Sequence, residues 1–237
     1  DEMGEYLKEL KKYNSDGTVS RTEYKYVKDV ERWTDKHPKN AHTQYSLPIQ
    51  TTFYLDSIRL YAAINSYKTI STAPGQSTDN IAFSPATTKI LSRSYVLSPD
   101  QCQITDYMNY DKYGNPVYIV KDGVSNIVYL WGYKGHHAIA KIENATYDQV
   151  TEALDGISPA VVLSYDPELL KKLRNNPVLK NALVTTYQYA DLIGVSKVTD
   201  PSGRVTTYEY DKAGRLVKVL DEAGNPVSEY QYLYVNQ

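Results

Sequence analysis

Between Tyr187 and Tyr232 the chain repeats itself, and that repetition leaves little choice of fold. The pairs Tyr187/Tyr189, Tyr208/Tyr210 and Tyr230/Tyr232 recur at intervals of 21 and 22 residues. Asp191, Asp200, Asp211 and Asp221 each precede a glycine by three positions, at intervals of 9, 11 and 10 residues. A fixed period of about 20 residues signals a repeat architecture in which each unit is one supersecondary element.

Each half-period reads as one strand and one turn. In Asp200-Pro201-Ser202-Gly203 the aspartate can bond back to its own turn, the proline pre-sets φ, and the glycine accepts a left-handed backbone. This is the three-residue hairpin loop in which a type I turn is closed by a left-handed residue. Gly203, Gly214 and Gly224 are therefore expected at positive φ. Asp211 is expected opposite Arg215; counting outward, Tyr210 faces Leu216, Tyr208 faces Lys218 and Thr206 faces Leu220. Strand alternation then puts Tyr208, Tyr210, Leu216 and Leu220 on one face, with Glu209, Asp211 and Arg215 on the other.

With 237 residues and 41% hydrophobic content the chain can fill one large or two small cores. Its 26 basic and 28 acidic side chains are interleaved and leave a net charge of −2. Neither nucleic acid nor a charged membrane surface is expected as a partner. No apolar run approaches the roughly 18 residues of a membrane helix, so no membrane insertion is expected. One cysteine, Cys102, excludes an internal disulfide; it reads as a small, half-buried strand residue. Tyrosine is the outlier, at 24 residues against 2 Phe and 2 Trp. It suits strands that are apolar along their length and wet at their tips.

Two domains are expected. Residues 1–88 form an N-terminal β-hairpin region with long loops. Residues 89–237 form a repeat-like β region interrupted by a helical insertion at 146–183. Leu7, Leu10 and Tyr13 have helix-like spacing, though they also fit a strand cut from a repeat. Asn14-Ser15-Asp16-Gly17 repeats the turn pattern. Residues 29–46 and 71–87 read as irregular loops. Strands are expected over 48–55, 57–70, 90–97, 102–110, 115–120, 125–133 and 137–142. In the insertion, Thr146 and Gln149 have capping-box spacing, and Gly156 is placed to end the helix. Ser158-Pro159 and Asp166-Pro167 open two more helical turns, the last ending before Pro177.

Tyr210-Asp211-Lys212-Ala213-Gly214-Arg215-Leu216 looks like YD-x-x-G-R-L, and Tyr110-Asp111-Lys112-Tyr113-Gly114-Asn115-Pro116 looks like its close variant. With Tyr129 to Tyr133 and Ala138 to Ile142, these motifs make residues 110–232 resemble the YD-repeat, or rearrangement-hot-spot (Rhs), family, in the form found in large surface and secreted proteins of Bacteroidota-type bacteria. The resemblance implies a twisted ribbon of antiparallel β-hairpins that can spiral into a hollow shell. It also implies roles in enclosing a C-terminal toxin, in cell-surface contact or in carbohydrate binding. The family's self-cleaving core segment has no counterpart here. Three or four C-terminal units are too few to close a shell, so a piece of a longer protein, or a truncated relative, is expected. Tyr165-Asp166-Pro167 resembles an element of that core, but the adjoining Leu169-Leu170-Lys171-Lys172-Leu173 reads as amphipathic helix.

Catalytic motifs are missing: no Gly-x-Ser-x-Gly, His-Glu-x-x-His, phosphate loop or dinucleotide fingerprint occurs. His136 and His137 would point to opposite faces of a strand, and His37 and His42 lie in a polar stretch, so neither set suggests a metal. Asn144-Ala145-Thr146 has the spacing of a glycosylation acceptor, but capping by Thr146 accounts for it. The best ligand platform is Trp131 and Tyr133, on one strand face, with His137 nearby; core packing of Trp131 is the competing reading.

The expectation is a mainly β, non-enzymatic repeat module of a bacterial cell-surface or secreted protein, with no cofactor, acting as scaffold or adhesion segment. A carbohydrate-binding module and a fragment of a toxin-enclosing shell are the alternatives. Its partners would be other parts of a longer parent chain, a glycan or a cell-surface protein. An extracellular or cell-surface setting is expected, with a signal peptide removed from, or left out of, the sequence that opens at Asp1. The repeat motif carries the structure through Tyr110, Asp111, Gly114, Asp200, Gly203, Tyr208, Tyr210, Asp211, Gly214, Arg215, Asp221 and Gly224.

Overall fold

The structure, a computed structural model, describes residues 6–26, 48–70, 82–92, 102–162, 164–190 and 193–232. The fold is mainly β, and within each of its compact units the strands pair antiparallel with their neighbours in chain order. Two compact units divide the chain: Asp1–Met108 with Val120–Val124, and Asn109–Ile119 with Ser125–Gln237.

The first unit is a meander of β1 (Glu9–Tyr13), β2 (Val19–Tyr26), β3 (Pro48–Leu55), β4 (Ile58–Ile70), β5 (Ala82–Ser92) and most of β6 (Cys102–Tyr110). Residues 9–13 are a strand because β2 supplies a pairing edge, Glu9 opposite Glu23 and Tyr13 opposite Val19. Residues 82–87, expected as loop, belong to β5: pairing with β4 runs out to Ile70 opposite Ala82 and overrides the small-residue composition. The hairpin tip at Asp56 is tied back to β2, its backbone N–H donating to the Val19 carbonyl and its Oδ1 accepting from Val19 N–H, both at 2.8 Å. Phe53 and Tyr61 stack at 4.3 Å across β3 and β4, and the Arg21 guanidinium lies 4.0 Å over the Tyr54 ring. The expected loop 29–46, with His37 and His42, lies outside the described residues, as do 71–81 and the far part of the expected strand at 90–97.

The second unit holds β7 (Pro116–Lys121), β8 (Ser125–Gly132), β9 (His137–Glu143), then two helices and β10 (Leu183–Ala190), β11 (Gly194–Thr199), β12 (Val205–Tyr210), β13 (Leu216–Leu220) and β14 (Pro226–Glu229). The insertion folds as its capping signals dictate. Thr146 and Gln149 close a capping box on α1 (Tyr147–Ala153). Ser158 caps a 3₁₀ turn at Pro159–Val161, and Asp166 Oδ1 accepts from Glu168 N–H and Leu169 N–H at the start of α2 (Pro167–Arg174). Asn176 caps a further turn at Pro177–Leu179. Val150, Ala153, Leu154, Leu170, Leu173 and Leu179 turn inward onto Val117, Val128, Leu130, Ile139, Ile142 and Val184 of the sheet. Past β10 that second layer ends, and the residues of β11 to β14 are half-buried or exposed.

The hairpins depart from the expected register. Tyr210 does pair with Leu216, but Tyr208 pairs with Val219 and Thr207 with Leu220, because Val217 is skipped. Leu220 therefore belongs to the face opposite Tyr208, and Lys218 stands across from Glu209. The same interruption falls near the start of other return strands, at Leu60, Ile139, Ser196 and Val227. A one-residue bulge bends the strand and sharpens its right-handed twist, so regularly placed bulges make each hairpin twist alike.

Candidate functional site

The motif aspartates build the turns. Asp211 N–H donates to the Arg215 carbonyl at 2.9 Å and Gly214 N–H donates to the Asp211 carbonyl at 3.0 Å. Asp211 Oδ1 accepts from Ala213 N–H at 2.8 Å and Arg215 N–H at 3.0 Å, while Oδ2 accepts from Arg215 Nε at 2.8 Å. Asp200 and Arg204 make the same pair of contacts at 2.9 Å. Where arginine is absent asparagine takes its place: Asn115 Nδ2 donates to Asp111 Oδ2 at 2.9 Å, and Asn225 Nδ2 to Asp221 Oδ2 at 3.2 Å. Gly203, Gly214 and Gly224 have φ of +90°, +74° and +82°, and Gly114 has +85°. At Asp200, Asp211 and Asp221 these hydrogen bonds favour the ionised carboxylate. Asp200 is lowered to about 2, chiefly by the Ser202 hydroxyl, while Asp211 and Asp221 are lowered mainly by Arg215 and by the Asn225 backbone N–H.

The second tyrosine of each pair has a separate task. Tyr189, Tyr210 and Tyr232 donate their hydroxyls to the carbonyls of Ala138, Val195 and Leu216, at 3.0, 2.8 and 2.8 Å. Each acceptor directly precedes a bulged residue: Ile139, Ser196 or Val217. The ladder to the following strand stops there, at Thr186 opposite Ala140, Thr207 opposite Lys197 and Glu229 opposite Lys218. A carbonyl left outside the ladder needs a donor, and tyrosine reaches past the end of the ladder to provide one. Tyr210 also crosses Gly194, where a Cβ would lie 3.1 Å from its hydroxyl oxygen. In Tyr210-Asp211 the tyrosine thus completes the preceding hairpin and the aspartate closes the next.

The expected ligand platform is divided. Tyr133 and His137 approach edge to face at 5.6 Å, but Trp131 packs against Tyr129 at 6.4 Å and donates Nε1–H to the Pro116 carbonyl at 2.9 Å. The rings that do gather with Tyr133 are Tyr165, stacked at 5.7 Å, and Tyr189, edge to face at 5.6 Å, with His137 stacked on Tyr189 at 4.3 Å. Tyr165 comes from the insertion and carries only a helix-start signal in the sequence; nothing in its spacing points to Tyr133. Burial raises the Tyr165 and Tyr189 hydroxyls, keeping them protonated donors.

The cluster sits on strained backbone. Tyr133, Lys134 and Gly135 have φ of +51°, +59° and +85° in succession. For the two residues with a Cβ this costs on the order of 1–2 kcal/mol each. The ring contacts hold Tyr133, its hydroxyl accepts from Tyr189 N–H at 3.2 Å, and Asn115 Nδ2 donates to the Gly135 carbonyl at 2.8 Å. A Cβ on Gly135 would lie 2.2 Å from the Tyr113 ring. Lys134, His136 and His137 are exposed at this tip. The arrangement offers ring faces and the Lys134 cation. Among the described residues no carboxylate pairs with His137, and no group of three or more His, Cys, Asp or Glu side chains could hold a metal ion.

Residues 191–226 match the RHS Repeat family. No curated protein matches the chain. Among solved structures the chain is similar to TcdB2-TccC3 without its hypervariable C-terminal region, at 13% identity over 91% of this chain and 12% of that one, with a TM-score of 0.36. It is also similar to the Photorhabdus luminescens Tc holotoxin pore carrying a TccC3 mutation, at 13% identity over 92% of this chain and 12% of that one, with a TM-score of 0.33. The chain thus spans about 12% of the length of these proteins. By sequence, residues 191–226 are an RHS repeat, and the Asp200, Asp211 and Asp221 turns within it share one hydrogen-bonded geometry.

Proposed function

We propose that this chain is a non-enzymatic scaffold or adhesion module of a bacterial cell-surface or secreted protein. The observation behind it is where the motif side chains are spent: aspartates on turn N–H groups, tyrosines on bulge carbonyls, glycines on positive φ. Groups engaged in this way hold a ribbon and leave its exposed side chains to make contacts. The natural partners are further repeats of a longer parent chain, along with a glycan or protein of another cell surface.

Beads coated with the folded chain test the adhesive part, and antibody labelling of intact source cells tests the location. Labelling of intact cells together with capture of cells by the beads is the expected outcome. An epitope reached only after lysis, with uncoated beads capturing as many cells, overturns the reading.

A further inference from the structure

Between α2 and strands β10 and β11 of the second unit runs a groove of about 230 Å³. Lys171 and Arg174 enter it from the last turn of α2, Lys197 from β11, and Tyr165 and Tyr187 supply its rings; no carboxylate lines it. Lys171, Arg174 and Lys197 make no ion pair among the described residues, whereas neighbouring Lys172 pairs with Asp155 and Arg204 with Asp200. The Arg174 guanidinium is half-buried. Its Nη1 donates to the Asp200 carbonyl at 2.7 Å and its Nη2 to the Thr199 carbonyl at 3.1 Å, which anchors the cation at the end of the groove. The α2 macrodipole explains why cations are tolerated at its C-terminal end, but Lys197 comes from a different element. The helix N-terminus contributes no anion site, since Asp166 already occupies its N–H groups.

We propose that this groove binds an extended acidic peptide, one apolar side chain lying among Tyr165, Leu170 and Tyr187 and flanking carboxylates meeting Lys171, Arg174 and Lys197. Charge complementarity identifies the occupant's acids: Lys171 and Lys197 face the groove with no ion pair among the described residues, and Arg174, which feels the Asp200 carboxylate, closes its end. The rings and Leu170 identify its apolar residue, since tyrosine and arginine dominate the binding energy of peptide and protein contacts. The volume lies below the roughly 300–1,000 Å³ of a drug-sized site, which suits a single side chain of a longer ligand. A nucleic acid would need a continuous basic track along its backbone, whereas the basic lining of this groove is Lys171, Arg174 and Lys197.

The test is fluorescence anisotropy of a labelled peptide alternating glutamate and leucine, with its glutamine counterpart, an oligouronate and a single-stranded oligonucleotide as comparison ligands. The acidic peptide is expected to bind and the glutamine peptide to fail. Combining Lys171→Ala with Lys197→Ala, both exposed and outside the core, should weaken binding roughly tenfold with an unchanged circular dichroism spectrum. Lys212→Ala, away from the groove, should leave binding intact. Failure of the acidic peptide to bind overturns the proposal. So does equal binding of the glutamine peptide, equal weakening by Lys212→Ala, or an oligouronate or oligonucleotide binding at least as tightly. The scaffold reading stands apart from these outcomes, because bead capture of cells can persist when the peptide does not bind.

Discussion

Asp200 shows how much one short side chain can organise. Its Oδ1 accepts from Arg204 N–H at 2.9 Å and from the Ser202 hydroxyl at 2.7 Å, and its Oδ2 grips Arg204 Nε at 2.9 Å. All three contacts favour the carboxylate, which places its ionisation at about 2, below the ordinary 3.8. A carboxyl lowered by folding contributes stability that is complete above its unfolded value and drains away as pH falls through the folded one. Asp200 should therefore stabilise the protein fully above about 3.8 and lose that contribution between there and about 2. Carboxyl NMR should find its midpoint near 2, rising in Ser202→Ala; an ordinary midpoint in the native chain would show that the turn bonds do not hold the charge. This chemistry was legible in the sequence, because every participant lies within four residues of the aspartate.

At the scale of the hairpin, sequence spacing predicts the turn and misplaces the return strand. Counting outward from Asp211 and Arg215 gives Tyr210 opposite Leu216 correctly, then fails at Val217. A bulge leaves no local mark in Leu216-Val217-Lys218. It is settled by twist and by the reach of the next strand, including the Tyr232 hydroxyl on the Leu216 carbonyl. Two neighbouring tyrosines separate these effects. Tyr210→Phe removes the donor to the Val195 carbonyl and should cost about 0.5–1.5 kcal/mol in urea denaturation. Tyr208→Phe, whose ring lies opposite Val219, should stay within about 0.5 kcal/mol of the parent. Equal costs at both positions would mean that the bulge carbonyl does not depend on tyrosine.

Across the second unit, stability is concentrated where the helical insertion covers the sheet. Leu173 is fully buried in the cluster that joins α2 to Leu130, Ile139 and Ile142, whereas Val227 in β14 is 66% exposed. Leu173→Ala should cost about 2–5 kcal/mol by removing a core side chain, measured by urea denaturation with tryptophan fluorescence, and Val227→Ala should change stability by less than about 0.5 kcal/mol. A small loss at Leu173 would mean that the insertion contributes little to the core. Turns and capped helix starts were legible in the sequence, because their aspartates, glycines and caps act through contacts a few residues apart, whereas the strands at 9–13 and 82–87 exist through pairing with β2 and β4. Tertiary structure decided the bulges and hence the faces, the covering of β7 to β10 by the insertion, and the meeting of Tyr133 with Tyr165 and Tyr189. It separated Trp131 from that ring cluster and brought Lys171 and Arg174 beside Lys197. These pairings join residues distant along the chain, and they are chosen by strand twist and by which apolar faces find a layer to bury them, neither of which is written in local spacing.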